Sequence, residues 1–421
     1  MTVTPKSKGL VIILDGVGDR PCAVLGGATP LEAADTPNLD RLATAGQSGQ
    51  VDPLAPGVPV GTHLGAGVLM GLMPEDARCL GRGSVEAAGA GLTLQPGDVA
   101  FRCNFATVQG DDSGFRIIDR RAGRIRDGVR ELAAALSGID VGDGITATLR
   151  AATQHRAVLR LSGDKLSAAV TDTDPGSGNG HHVLECISAA SNEEAAARTA
   201  TAVNRYLVLA HERLSAHPVN EQRSADGQPP ANAIITRGAG TMPVMRNIIS
   251  ELGLSTALVT GGGTVAGLGR LFGFDVNKDP RFTAGPDTDL SAKMAAVADA
   301  LNDHDLVFLH VKAPDICAHD KDPLTKKAFL ERFDDELASL DVDGKVVAVS
   351  ADHSTDCNTG AHTGDPVPSI LYAPGGRRDA NRRYDEMACM TGGIGRITSY
   401  SFITLVLESM GCLGNYKAAL H

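Results

Sequence analysis

After a short polar start the chain runs into an unbroken apolar stretch, Gly9–Leu14, that stops at Asp15-Gly16. A continuous apolar run of strand length closed by a turn signal predicts a strand buried on both faces, as in a parallel sheet. The pattern returns late in the chain, at Ala233–Thr236, Thr256–Thr260, Leu306–Val311, Lys345–Ser350 and Ser369–Tyr372, with helical segments between several of these runs. Such alternation predicts an α/β fold built on a doubly wound sheet. Near the start, Leu31–Ala45 has helical character, its second half opened by Thr36-Pro37. Val51–Gly61 is a Pro/Gly loop, and His63–Gly71 can form a short helix of small residues.

The middle of the chain has a different texture. Val99–Val108 alternates with period two and predicts a strand, as do Phe115–Asp119, Thr146–Ala152 and Arg156–Leu161. Arg124–Leu136 and the Ala-rich Glu193–Ala216 predict helices, and the polar Asn220–Pro230 predicts a linker. The expected organisation is a discontinuous core, residues 1–96 and 226–421, interrupted by an α+β cap domain over 97–225.

Composition narrows the function. With 43% hydrophobic and 21% charged residues the chain is that of a globular protein, not a disordered one. Its formal charge of −11 argues against a broad grip on nucleic acid or on an anionic membrane, so any anion must be met by a local cluster. No apolar run approaches a membrane span, none of the cysteines forms a CxxC pair, and no leader is visible. The expectation is a cytoplasmic protein with reduced thiols. Its 49 glycines are unusually many and point to tight turns or to backbone brought close to other groups.

The apolar runs lead into chemistry. Asp15 follows the first; Asp315 and His319 follow Leu306–Val311; Asp352 and His353 follow Lys345–Ser350; His362 lies a little further on. In open α/β sheets ligands sit at the carboxyl ends of the strands, so these groups are expected in one crevice. A lone Asp after a strand is ordinarily a turn or cap residue, and His362 alone an ordinary histidine. It is their conjunction that points to metal. Mixed Asp/His donors suit divalent ions, and so many suit a pair of ions that clamps both oxygens of a phosphoryl displacement. Thr62, at the start of the short helix, is a candidate nucleophile, with a plain helix cap as the competing reading.

The segments LDGVGDRP (14–21), GGATPLEAADTPNLDRLA (26–43), GRGSVEAAGAGLTLQPGDVAFRCNFATV (81–108), HVKAPDICAHD (310–320), ADHSTDC (351–357) and HTGDPVP (362–368) resemble those of the archaeal-type cofactor-independent phosphoglycerate mutases, members of the alkaline phosphatase superfamily. The resemblance spans nearly the whole chain. It implies an alkaline-phosphatase-like core, a phosphorylated hydroxyl intermediate and two divalent ions, usually manganese, with zinc, magnesium or cobalt as other occupants. One ion would be held by Asp315, His319 and His362, and the other by Asp15, Asp352, His353 and Thr62. It also implies a cap that clamps a small phosphorylated carboxylic acid through Asn104, Arg120, Arg121, Arg124 and His155. An arginine cluster is what an acidic protein needs to hold such an anion.

The sequence departs from the family at two places. The family's nucleophile segment reads approximately PGSDTAHL, against Val60-Gly61-Thr62-His63-Leu64-Gly65-Ala66-Gly67 here. Ala266 stands where a lysine is expected to neutralise the transferring phosphate. These changes suggest a mutase retuned to a related substrate, or a phosphonate-pathway transferase or hydrolase of the same superfamily. The run Gly261–Gly267 also fits, loosely, a nucleotide-binding loop. A homo-oligomer stays open.

Overall fold

A computed structural model describes residues 3–176, 178–191, 193–242 and 245–414, leaving aside the side chains of 78 and 79. The chain divides into two compact units, Met1–Arg78 with Met245–His421, and Cys79–Val244. No helix among the described residues is long and apolar enough to cross a membrane.

The first unit is built on an eight-stranded sheet in the order Asp275–Asn277, Thr256–Thr260, Leu306–Val311, Gly9–Leu14, Val346–Ser350, Val367–Tyr372, Gln47–Asp52, Gly395–Thr398. Gly9–Leu14 is buried throughout and pairs in parallel with Leu306–Val311 on one side and Val346–Ser350 on the other. Its unbroken apolar run reflects this burial on both faces. The sheet is mixed, not wholly parallel: Val367–Tyr372 runs antiparallel to both neighbours.

The second unit holds a six-stranded antiparallel sheet around Val99–Asp111, packed on the Glu194–Ser215 helix over a core that includes Phe101, Phe105, Leu159 and Tyr206. Four expectations are corrected here. Ala233–Thr236 is no strand of the first sheet: Ala233–Thr241 pairs along Val99–Asp111, from Ala106↔Ala233 to Val99↔Thr241. Because that strand and the Arg82–Gly89 helix both pack on Val99–Asp111, the unit runs from 79 to 244, not from 97 to 225. The expected linker Asn220–Pro230 contains a helix, Pro218–Ala225, started by proline in its first turn and capped by the His217 side chain. Asn220 is buried, its amide bonded to Leu214 O, Ala231 O and Ala231 N. The Arg124–Leu136 helix begins only at Val129.

Candidate functional site

Strand register explains why residues so far apart in sequence meet. Leu14 lies opposite Val311, and Ile13 opposite Ser350. Continuing each register past the strand ends sets Asp15 level with Lys312 and with Asp352. Asp15, Asp315, Asp352 and His353 are all buried there. The next helix, Ala313–His319, carries Asp315 and His319 four residues apart and so on one face. His362 comes from a two-stranded hairpin in which it pairs with Thr355.

These groups form two adjoining sets of potential metal ligands, Asp315/His319/His362 and Asp15/Asp315/His353, each with donor atoms within 4.8 Å of one another. In the first set the Nε2 atoms of His319 and His362 lie 3.2 Å apart. Each ring points its Nδ1 at a backbone carbonyl, Gly360 O and Val60 O, at 2.8 Å. A carbonyl only accepts, so in the neutral ring Nδ1 carries the proton and Nε2 keeps its lone pair for a metal. At the second set, Asp352 Oδ2 is buried without a hydrogen-bond partner, 3.2 Å from His353 Nε2. An orphaned buried carboxylate oxygen here, and two facing imidazole lone pairs in the first set, suit a bound cation. Oxygen and imidazole donors of this kind suit divalent metal ions.

The charges agree with that reading. Burial first, then the neighbouring Asp15, push the Asp352 carboxyl well above its ordinary value. For Asp15 and Asp315 burial acts in the same direction but is outweighed, chiefly by Lys312, and both are held below the usual carboxylate range. Burial lowers His353 to about 3, whereas the hydrogen bond to Asp315 raises His319. Three buried carboxylates cannot all stay ionised without added positive charge.

Thr62 opens the Thr62–Leu69 helix, but the cap position belongs to Gly61. The threonine hydroxyl is thereby left to the site: Oγ1 is 3.3 Å from His353 Nε2 and accepts from Lys312 Nζ at 3.1 Å. The helix lies so close to the ligand loop that a Cβ at Gly65 would fall 1.8 Å from Asp352 O. Two groups unmarked by the sequence reading complete the arrangement. Lys312 donates to Asp15 Oδ1 at 2.8 Å and lies 2.6 Å from Asp315 Oδ2. His310, fully buried, bridges Asp15 Oδ2 at 2.8 Å and Thr260 Oγ1 at 2.9 Å. The available signal was a histidine inside an otherwise apolar strand, Leu306–Val311, and a lysine directly after it.

In the second unit Asn104 and His155 are buried, and Asn104 Oδ1 and His155 Nδ1 have no hydrogen-bond partner. Burial, then the charges of Arg156, Arg121, Arg102 and Arg124, bring His155 down to about 4. Arg121 and Arg124 are exposed. Arg120 is already engaged, with both oxygens of Asp174 at 2.6 and 2.5 Å. Arg82, Arg102 and Arg237, which the sequence reading did not single out, form a buried or half-buried group with no hydrogen bond at any Nε; Glu86 Oε1, 3.7 Å from Arg82 Nε and 3.9 Å from Arg102 Nη1, offsets part of their charge. Burial and Arg82 together hold Arg102 well below the usual arginine range. A buried excess of guanidinium is relieved by an anion.

A sheet core with adjoining divalent-metal ligand sets at its strand ends defines a metal-dependent enzyme of phosphoryl transfer. Residues 43–220 match the family described as 2,3-bisphosphoglycerate-independent phosphoglycerate mutase. The mutase of that name from Methanopyrus kandleri is 42% identical over 408 residues, covering 95% of this chain and 96% of its own. One from Archaeoglobus fulgidus is 39% identical over 414 residues, covering 97% and 99%. Among solved structures, the cofactor-independent phosphoglycerate mutase of Thermoplasma acidophilum matches with a TM-score of 0.68 at 32% identity, covering 96% of this chain and all 100% of its own. A Pyrococcus horikoshii protein matches with a TM-score of 0.83 at 33% identity, covering 99% and 100%. The chain belongs to the 2,3-bisphosphoglycerate-independent phosphoglycerate mutase family.

Proposed function

We propose that this chain interconverts 2- and 3-phosphoglycerate by holding the phosphoryl group transiently on Thr62. The observation that carries this reading is the Thr62 hydroxyl, freed from capping and set 3.3 Å from His353 Nε2 beside the two ligand sets. Asp315, His319 and His362 would hold one divalent ion, and Asp15, Asp352, His353 and Thr62 the other. Bound ions lower the pKa of a coordinated hydroxyl and screen phosphoryl charge. Manganese is the occupant we put first, from the family resemblance; zinc, magnesium and cobalt share the same donors.

The chain's own residues account for the rest. As the Thr62 Oγ–P bond forms, the substrate O–P bond breaks, and the threonine proton ends on the released substrate hydroxyl. Return of the phosphoryl group to the other hydroxyl reverses these changes. The arginine group of the second unit, with Asn104 and His155, binds the anionic substrate. The nucleotide-binding reading of Gly261–Gly267 has a simpler explanation, since a Cβ at Gly261 would lie 2.1 Å from Phe282 O. No feature of the site favours the phosphonate-pathway reading.

The test is an enolase-coupled assay with 3-phosphoglycerate and manganese, alongside mass spectrometry of the quenched enzyme. Turnover and phospho-Thr62 are expected, and Thr62→Ala should lose both while Thr62→Ser keeps them. Full activity in Thr62→Ala would refute the covalent route.

A further inference from the structure

Ala266, where the resemblance expects a lysine, is buried in the Gly263–Leu271 helix and brings no charge. A cation reaches the nucleophile from elsewhere. Lys312 stands one residue beyond the Leu306–Val311 strand, and its ammonium meets Thr62 Oγ1 at 3.1 Å, Asp15 Oδ1 at 2.8 Å and Asp315 Oδ2 at 2.6 Å. An ammonium has three protons, and three acceptors surround it. The second oxygen of each carboxylate is engaged elsewhere: Asp15 Oδ2 with His310 at 2.8 Å, Asp315 Oδ1 with Thr355 at 2.8 Å. Both carboxylates are thereby fixed in orientation. They hold Nζ against the threonine oxygen as two legs of a tripod.

We propose that Lys312 is a catalytic residue of phosphoryl transfer, hydrogen-bonded to the Thr62 oxygen as that oxygen gives up its proton. The proposal rests on the reading of Thr62 as phosphoryl acceptor. Lys312 neither gives nor takes a proton in the step. The Thr62 Oγ–P bond forms, the substrate O–P bond breaks, and the hydroxyl proton leaves with the substrate oxygen. When the phosphoryl group departs again, the same contact stabilises the oxygen left behind. A fixed donor aimed at developing charge acts on the transition state more than on the bound substrate, so its loss falls on kcat. A lysine that served only as counter-ion to the carboxylates would instead act through folding or metal retention.

The experiment is rapid quenching of the manganese-loaded enzyme with 3-phosphoglycerate, reading phospho-Thr62 by mass spectrometry and bound metal on the same samples. Lys312→Met should keep its metal and an unchanged KM while forming phospho-Thr62 roughly 100- to 1,000-fold more slowly, the range for loss of one such donor. Lys312→Arg should recover part of the rate. Lys312→Gln, which keeps donors for the carboxylates, carries the same expectation as Met if the Met variant does not fold. Phospho-Thr62 formation at the wild-type rate in these uncharged variants overturns the proposal. So does a slow rate restored in full by saturating metal. Wild-type enzyme that turns over without phosphate on Thr62 overturns the reading of Thr62 itself, and the role of Lys312 with it.

Discussion

At Gly65 two backbones meet without room for a methyl group, since a Cβ would lie 1.8 Å from Asp352 O. Read in sequence, this glycine is a departure inside the nucleophile segment; read in the fold, it is what lets the Thr62 helix reach the ligand loop. Gly65→Ala should therefore move that helix, destabilising the chain by about 1–3 kcal/mol, as overpacking does. Urea unfolding measures the cost, and a metal titration should show weakened binding at the set containing Asp352. The same division between legible and hidden holds for the neighbours. Asp15, Asp315, His319, Asp352 and His353 could be picked out because each follows an apolar run, and sheet geometry says where such residues go; His362 was added by its nearness to them and by the family resemblance. Lys312 and His310 carry the same positional signal, after and within an apolar strand, but their roles stay hidden because their partners Asp15 and Thr62 are fixed by cross-strand register and helix placement, neither of which a linear pattern contains.

Among elements, the Pro323–Leu337 helix does the least visible work. Its Lys326 is fully buried, and Nζ donates to Gly16 O at 2.8 Å, Asp19 Oδ2 at 2.7 Å and Thr355 O at 3.3 Å. One ammonium thus ties the loop after Asp15 to the loop after His353. Lys326→Met would strand the buried Asp19 carboxylate without its countercharge, and the expected loss is about 3–5 kcal/mol, read as a shift in the urea midpoint. Continuous apolar strands and the long Glu194–Ser215 helix were readable because periodicity and length agree there. The Ala233–Thr241 strand was placed in the wrong sheet because its apolar run carries no mark of its partner. Pro218–Ala225 was hidden by polar composition, since much of its stability comes from the His217 cap and the buried Asn220 amide rather than from an apolar face.

For the molecule as a whole, a formal charge of −11 coexists with a buried arginine group in the second unit. Anion binding there should stabilise the folded state by linkage, so that phosphate or 3-phosphoglycerate raises the melting temperature. Arg102→Met should reduce that rise. Acid should act in the opposite sense. His155 titrates near 4 in the folded chain against an ordinary value of 6.5, because burial and the nearby arginines oppose its charge. The unfolded chain therefore binds the extra proton first. The contribution of His155 to stability is complete above pH 6.5 and is lost as pH falls toward 4. The fall in urea midpoint between neutral pH and pH near 4 should be smaller in His155→Gln than in the wild type.

Asp315 stands in both ligand sets. A shared carboxylate makes the two occupancies interdependent: charge drawn by the first ion is no longer offered in full to the second. Titration of the metal-free protein should then resolve two unequal steps, the later one weaker. Asp315→Asn should erase the step of the ion it holds with His319 and His362 and shift the other, whereas His362→Ala should weaken the first and leave the second in place.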